Sequence, residues 1–238
     1  MVTARVVCPS CGGGRTKERS CLVFDRDGVQ LYRCFRASCE HPRGIYSGTV
    51  DLTSVQRVVR WPDVGLLPSH RMRWAADKFH LTNDDLSRLR PMWTADHGGR
   101  YWYPITDERG AANGGVARSY WTTPKSLTFT DSWGMGAWYA CPSSDCIWLV
   151  EDQVSACKMA QHHTTVALLG VGLSSQLARH LATLGKPVVV ALDGDALGVA
   201  VKLSEKLQGA GCTTSVVFLE RDIKALTKEE VLCLSIKR

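Results

Sequence analysis

The sequence lacks several features that would assign it to large functional classes. No apolar stretch approaches the roughly 18 residues needed to cross a bilayer, and no apolar signal-peptide segment follows Met1. We therefore expect a soluble protein of the cytoplasm that has no membrane partner. The sequence also has no G-x-x-x-x-G-K-[ST] motif, which excludes a P-loop motor within these residues.

The composition is that of a globular protein with a basic excess. Of its 238 residues, 45% are hydrophobic, and 29 Lys and Arg against 23 Asp and Glu give a formal net charge of +6. This length fits one large domain or a domain with a small module. The positive charge permits a polyanionic partner without identifying one, and most of it lies in residues 1–50.

Cysteine is abundant near the N-terminus, where five of the ten cysteines fall within the first 39 residues. Without a secretory signal, this clustering favours a metal site over a disulfide framework. Cys8 and Cys11 have the spacing of a zinc knuckle, in which a tight turn directs two thiolates to one ion. Cys34 and Cys39 form a second pair at a wider spacing.

The ligand set of this zinc site has two alternatives, because either Cys21 or His41 could replace Cys39. Between the two cysteine pairs, two short runs of β-branched and aromatic residues flank Asp27-Gly28, which predicts a hairpin. Residues 1–46 are therefore predicted to form a zinc ribbon that depends on its metal for folding.

Four residues near the second cysteine pair of this module are candidates for contact with nucleic acid, although they could equally be solvated surface groups. They are Arg33, Phe35, Arg36 and Arg43.

The middle of the chain is predicted to be a linker, residues 47–70, followed by a mixed α+β basic subdomain, residues 71–145. Two helical segments come first in this subdomain, the second with Thr82 or Asn83 as N-cap and Pro91 at its end. A pair of strands then flanks Glu108-Arg109-Gly110, and residues 131–146 have no regular pattern. Cys141 and Cys146 have no second pair nearby and are not expected to bind metal.

Residues 146–238 alternate between apolar strands and amphipathic helices, which predicts a small parallel sheet covered by helices. Acidic residues follow the strand ends, namely Glu151, the pair Asp193 and Asp195, and Asp222. Ligands of such sheets gather at the carboxyl ends of the strands, so these acids predict a site for a divalent cation. His162-His163 is interpreted as a solvated helix end, and Lys158 and Lys186 are given no role.

These acidic motifs resemble the TOPRIM domain, which has a Glu after its first strand and an Asp-x-Asp after its third. Glu151 matches the first motif, and Asp193-Gly194-Asp195 with the following Gly198 matches the second. Asp222 is similar to the acid after the fourth strand, but Ala225 stands where a second acid often occurs. The resemblance implies that Glu151, Asp193, Asp195 and Asp222 bind magnesium or manganese.

The order of zinc ribbon, basic subdomain and TOPRIM domain resembles the primases of bacteria and bacteriophages and covers nearly the whole chain. Within that resemblance, Arg118 lies at a basic position and Lys125 where these enzymes carry a nucleotide-binding lysine. The implied function is synthesis of short RNA primers from NTPs on single-stranded DNA, with zinc and magnesium or manganese as cofactors. Glu151 would also assist deprotonation, and a separate replicative helicase would be a partner.

Two alternatives remain open at this point. The same acids could serve a TOPRIM nuclease, or the chain could be a zinc-bearing DNA-binding accessory protein without catalysis. The fold expected for all three is α/β, with the TOPRIM domain spanning residues 146–238.

Overall fold

A computed structural model of the chain describes residues 3–13, 17, 21–26, 29–35, 39–41, 43–48, 61–130 and 134–236. Contacts between residues divide the chain into two compact units, Met1–Arg60 and Trp61–Arg238. No helix in the described part of the chain is both long and apolar enough to span a membrane.

The first unit contains a four-stranded antiparallel sheet in which the strands lie in sequence order. Its strands are β1 (Thr3–Val6), β2 (Cys21–Arg26), β3 (Val29–Cys34) and β4 (Arg43–Ile45). The paired strands β2 and β3 confirm the predicted hairpin strands, whereas the predicted turn at Asp27-Gly28 lies outside the described residues. The sequence did not predict β1 and β4.

The larger unit begins with an antiparallel five-stranded sheet and two helices. These elements are β5 (Gly65–Leu66), α1 (Ser69–Phe79), α2 (Asn83–Leu89), β6 (Met92–Thr94), β7 (Arg100–Thr106), β8 (Ala112–Arg118) and β9 (Ser126–Thr130). Thr82 is confirmed as the N-cap of α2, because its hydroxyl accepts from the amide of Asp85 while the Asp85 carboxylate accepts from the amide of Thr82. β5 and the start of α1 lie within residues 47–70, for which a linker was predicted.

The second sheet of this unit has four parallel strands and one antiparallel edge strand, in the order β10-β12-β11-β13-β14. Its elements are β10 (Ala137–Tyr139), β11 (Ile147–Val150), α3 (Gln153–Met159), β12 (Thr164–Ala167), α4 (Ser175–Leu184), β13 (Val188–Val190), α5 (Leu197–Gly209), β14 (Thr214–Val216) and α6 (Lys228–Ile236). The predicted α/β alternation is confirmed. β10 corrects the expectation that residues 131–146 are irregular, because Trp138 and its neighbours pair with β12.

Alternate residues of β11 belong to different hydrophobic cores, which explains why this strand is apolar on both faces. Trp148 and Val150 pack into the core shared with the antiparallel sheet. Ile147 and Leu149 pack into a second core beneath α4 and α5. The first of these cores joins the two sheets of the larger unit.

Buried polar contacts also join the two halves of the larger unit. Lys158, in α3, is almost completely buried, and its Nζ donates to the carbonyls of Phe79 at 2.6 Å and Leu226. The Thr106 hydroxyl donates to the Trp138 carbonyl at 2.7 Å, which links β7 to β10. Lys158 therefore connects α3 to the end of α1 and to the segment before α6. The sequence had given this residue no role.

Candidate functional site

Four cysteine thiols of the first unit converge on one point. The Sγ atoms of Cys8, Cys11, Cys34 and Cys39 all lie within 4.8 Å of one another. The Sγ–Sγ distance is 3.8 Å between Cys8 and Cys39 and 3.9 Å between Cys11 and Cys34. Four sulfurs placed tetrahedrally about 2.3 Å from a zinc ion are separated by about 3.8 Å, so the arrangement fits a four-cysteine zinc site.

The local structure explains how the first two thiols converge. Cys8 and Cys11 lie in a tight turn after β1, in which the amide of Gly12 donates to the Cys8 carbonyl at 2.9 Å. Gly12 has a φ of +62°, a conformation that glycine adopts without strain. Burial by itself raises the pKa of the Cys8 thiol. Hydrogen bonds from the backbone of Cys11 and Ser10 and from neighbouring thiols have the larger combined effect, and they lower the pKa to about 7.

The structure separates Cys39 from the two alternative ligands. Cys21 is fully buried within β2 beside Val23, and its thiol donates to the Leu22 carbonyl at 3.8 Å. Burial raises the pKa values of Cys21 and Cys39 alike to about 12, so it is the position of the sulfur atom that distinguishes the two residues. His41 is exposed, and its carbonyl accepts from the Tyr32 hydroxyl. Cys39 is thus the residue that lies with the other three thiols.

The candidate nucleic-acid contacts of this unit are exposed wherever the structure describes them. Arg33, Phe35 and Arg43 are exposed, and the guanidinium of Arg33 lies 5.3 Å from the centre of the Phe35 ring. Arg36 lies outside the described residues. This pair presents a cation and an aromatic face to solvent.

The acidic residues of the larger unit lie at the carboxyl edge of its parallel strands. Glu151 directly follows β11, Asp193 follows β13 by three residues, and Asp222 lies in the segment after β14. Asp195 is exposed within a 3-10 turn, and neither that turn nor α5 has a side-chain N-cap. The Asp195 side chain therefore caps neither the turn nor α5.

Gly194, between Asp193 and Asp195, lies where there is no room for a side chain. A Cβ at this position would lie 2.5 Å from the carbonyl oxygen of Leu219, which is closer than any side chain tolerates. The chain after β13 can therefore pass close to the segment that carries Asp222 only with glycine between Asp193 and Asp195.

Lys224 lies among the acids and was missed by sequence reasoning. Its Nζ is 3.0 Å from Asp193 Oδ2, 2.9 Å from Asp222 Oδ2 and 3.2 Å from Asp152 Oδ2. Asp152 was also missed, although it follows the same strand end as Glu151. Its other oxygen, Oδ1, accepts from the amide of Ser155 at 2.9 Å and caps α3.

Burial and neighbouring charges shift the pKa values of these carboxylates. Burial raises the pKa of Glu151, and the negative charge of Asp193 raises it further. Burial also raises the pKa of Asp193, although the hydrogen bond and charge of Lys224 act in the opposite direction. The site therefore holds more negative charge than its one lysine compensates, which is the electrostatic setting of a cation site.

The acids fit a divalent ion by their chemistry, since they supply the carboxylate oxygens that Mg²⁺ and Mn²⁺ prefer. Among the described residues, however, no three of these acids hold their ligand oxygens within 4.8 Å of one another. Lys224 lies between the carboxylates of Asp152, Asp193 and Asp222 and contacts each of them.

A cavity of about 360 Å³ opens beside Glu151 and Asp152 and is bounded by both sheets of the larger unit. Glu151 and Lys224 line it from the parallel sheet, and Arg118 and Thr128 line it from β8 and β9. The Arg118 guanidinium donates to the Ser126 hydroxyl at 3.0 Å and lies 5.8 Å from the centre of the Tyr120 ring. The cavity thus brings a guanidinium and a carboxylate from separate sheets to one opening.

Lys125 has a different position from Arg118. It is exposed in the connection between β8 and β9, and its carbonyl accepts from the Ser119 amide at 2.8 Å. It is not among the residues that line the cavity.

A third group of possible ligands lies at the opposite ends of the strands. Ligand atoms of Asp145, Cys146 and His163 lie within 4.8 Å of one another, and Cys146 Sγ is 3.6 Å from His163 Nδ1. His163 is buried and stacks on Trp148 at 5.4 Å, which corrects its interpretation as a solvated helix end. The sequence could not show this, because the strands β11 and β12 bring the two residues together.

Comparison with known proteins identifies one family over part of the larger unit. Residues 150–226 match a family model described as Toprim-like, which confirms the TOPRIM resemblance over that range. A sequence search of curated proteins finds no match.

Solved structures extend the likeness beyond this domain. The structure of the DnaG catalytic core matches with a TM-score of 0.54 and 17% identity, covering 70% of this chain and 71% of that one. The Aquifex aeolicus primase, with its zinc-binding and RNA polymerase domains, matches with a TM-score of 0.49 and 22% identity, covering 73% of this chain and 50% of that one. The chain therefore spans about half the length of the Aquifex structure.

The primase fragment of the bacteriophage T7 primase-helicase protein matches with a TM-score of 0.49 and 11% identity, covering 99% of this chain and 100% of that fragment. The match to the DnaG catalytic core shows that this chain shares its fold.

Proposed function

We propose that this chain is a DNA primase that synthesises short RNA primers on single-stranded DNA by metal-dependent nucleotidyl transfer. The observation that carries the proposal is the cavity in which Glu151, from the Toprim-like domain, and Arg118, from the antiparallel sheet, face one opening. The fold shared with the DnaG catalytic core supports the same function.

Glu151, Asp193 and Asp195 are the proposed ligands of magnesium or manganese, and Asp222 is a further candidate. When bound, such ions activate an attacking 3′ oxygen and stabilise the leaving pyrophosphate. Glu151 lines the cavity and has a raised pKa, so it is also suited to accept the proton of the 3′ hydroxyl.

Arg118 is proposed to bind the triphosphate of the incoming NTP. Its guanidinium lines the cavity and can donate two parallel hydrogen bonds to phosphate oxygens. Lys125 is proposed to contribute a second positive charge from the exposed connection between β8 and β9. Both residues would offset the charge that accumulates as pyrophosphate leaves.

The four-cysteine site of the first unit is proposed to bind zinc and to stabilise the surrounding ribbon. Such a small sheet has little hydrophobic core, so metal binding would supply much of its folding free energy. Arg33, Phe35, Arg36 and Arg43 are the proposed contacts to the template strand, through phosphate pairing and base stacking.

Single-stranded DNA and NTPs are the proposed substrates, and a separate replicative helicase is the proposed partner that exposes the template. The proposed activity belongs in the cytoplasm, where these substrates meet.

Incubation of the protein with single-stranded DNA, labelled NTPs and Mg²⁺ or Mn²⁺ tests the proposal. Labelled oligoribonucleotides of defined length that require both template and metal are the expected result. Cleaved DNA without primers would instead identify a TOPRIM nuclease. Binding of DNA without either product would identify an accessory protein, and both of these outcomes would overturn the proposal.

A further inference from the structure

Lys224 is held by carboxylates from three separate segments of the parallel sheet edge. Asp152 follows β11, Asp193 follows β13 and Asp222 follows β14, and an oxygen of each lies between 2.9 and 3.2 Å from Lys224 Nζ. Side chains that are far apart in sequence therefore converge on one ammonium group. The positive charge of Lys224 thus lies between three of the acids at this sheet edge.

The three contacts are not equivalent. Asp152 also caps α3 through its Oδ1, so its position is fixed by the helix whether or not Lys224 is present. In the described part of the chain the side chains of Asp193 and Asp222 do not cap a helix, and they are the acids proposed to bind a divalent ion. The same Lys224 group therefore contacts one structural carboxylate and two proposed ligands.

An ammonium group that lies against a carboxylate oxygen opposes the approach of a divalent ion to that oxygen by its charge and by the space it fills. A magnesium ion lies about 2.1 Å from its ligand oxygens and needs them directed toward itself. The ammonium group of Lys224 contacts Oδ2 of Asp193 and Oδ2 of Asp222, and a positive charge this close repels the ion. The lysine side chain is long and flexible and lines the open cavity, so it can leave the acids without unfolding its turn.

We propose that Lys224 competes with the divalent ion for Asp193 and Asp222, and therefore sets the ion affinity of the site. The inference rests on the proposed function for its premise that Asp193 binds such an ion. Beyond that function, the inference states that the ammonium group of Lys224 moves away from Asp193 and Asp222 when the divalent ion binds. The ion site is accordingly weak in the absence of substrates.

Mn²⁺ binding, followed by the loss of the free-ion signal in electron paramagnetic resonance, tests this competition directly. The zinc-saturated full chain is titrated without nucleotide or DNA, so that the readout does not depend on catalysis. Lys224→Met is expected to bind Mn²⁺ at least about tenfold more tightly, because the competing charge is removed. Lys224→Gln, which keeps two hydrogen-bond donors without the charge, is expected to change in the same direction.

Three further variants locate the effect. Lys224→Arg retains the charge and should bind Mn²⁺ within about twofold of the unmodified protein. Lys206→Met removes a lysine from α5 whose ammonium contacts the Leu173 carbonyl, and it should leave Mn²⁺ affinity unchanged. Adding Asp193→Asn to Lys224→Met should abolish the gain, which places it at this site.

The inference is overturned if folded Lys224→Met and Lys224→Gln bind Mn²⁺ with unchanged or weaker affinity. Unchanged affinity would mean that the ion does not need the contacts of Lys224, and weaker affinity would mean that the lysine organises the ligands. Tighter Mn²⁺ binding without primer synthesis by the unmodified protein would leave the inference standing and refute the proposed function. The two failures are therefore distinguishable.

Discussion

The side-chain amide of Gln153 donates hydrogen bonds to the backbone of β7, at 2.8 Å to the Pro104 carbonyl and 3.1 Å to the Tyr103 carbonyl. Gln153 opens α3, two residues after Glu151. β7 pairs with β8, whose last residue is Arg118. The contact therefore fixes the distance between the acid and the guanidinium that face the cavity.

Replacing Gln153 by Ala is expected to destabilise the larger unit by about 2–3 kcal/mol, because two buried carbonyls lose their donor. Chemical unfolding measured by circular dichroism would check this value. Gln176→Ala, at an exposed position of α4, is the matched control and should cost little. Equal stabilities of the two variants would contradict a role for Gln153 in joining the sheets.

Loss of zinc from the ribbon is expected to depend on which cysteine is replaced. Cys8→Ser should release the zinc and unfold the first unit, because a structural zinc site needs all four ligands. Cys21→Ser should retain one zinc per chain, since its sulfur lies outside the converging group. Metal content measured after dialysis, together with near-ultraviolet circular dichroism, would check both outcomes.

Cys233→Ser, at an exposed position in α6, is the control for loss of a cysteine as such. Zinc loss from Cys21→Ser with retention in Cys39→Ser would show that the ligand set derived from the structure is incorrect. Removal of zinc with a chelator should reproduce the effect of Cys8→Ser in the unmodified protein.

Arg118→Ala is expected to raise the KM for NTPs by about tenfold or more, since a charge-assisted contact to phosphate contributes about 1.5–3 kcal/mol. Arg109→Ala, at an exposed position in the turn of the same hairpin, should leave the KM unchanged. Steady-state primer synthesis at varied NTP concentration would measure both. A KM that Arg118→Ala does not alter would remove this residue from the proposed triphosphate site.

The α/β alternation was predictable because strands such as β11 are buried on both faces and are therefore apolar at every position. The positions of Glu151 and Asp193 at one sheet edge were predictable from the rule that ligands gather at the carboxyl ends of parallel strands. The same rule also applies to Asp152, which was overlooked because it directly follows Glu151. The helix cap at Thr82 was predictable because capping depends only on neighbouring residues.

What sequence reasoning missed depends on contacts between distant residues. Lys224 meets Asp152 and Asp193 only after the sheet has formed, and an isolated lysine in the sequence gives no sign of this. β10 is three residues long and pairs at the sheet edge, so its pattern was too short to recognise. His163 became a core residue because it stacks on Trp148 of the neighbouring strand.

The central claim is that the acids at the carboxyl edge of the parallel strands carry out nucleotidyl transfer. Primer synthesis on single-stranded DNA by Asp193→Asn and Glu151→Gln tests it most directly, with Glu205→Gln, at an exposed position of α5, as the control. The two site variants should retain their fold and lose at least about hundredfold in primer yield, because metal-ion catalysis contributes several kcal/mol to such a reaction. Primer synthesis at the level of Glu205→Gln in either folded site variant would contradict the claim.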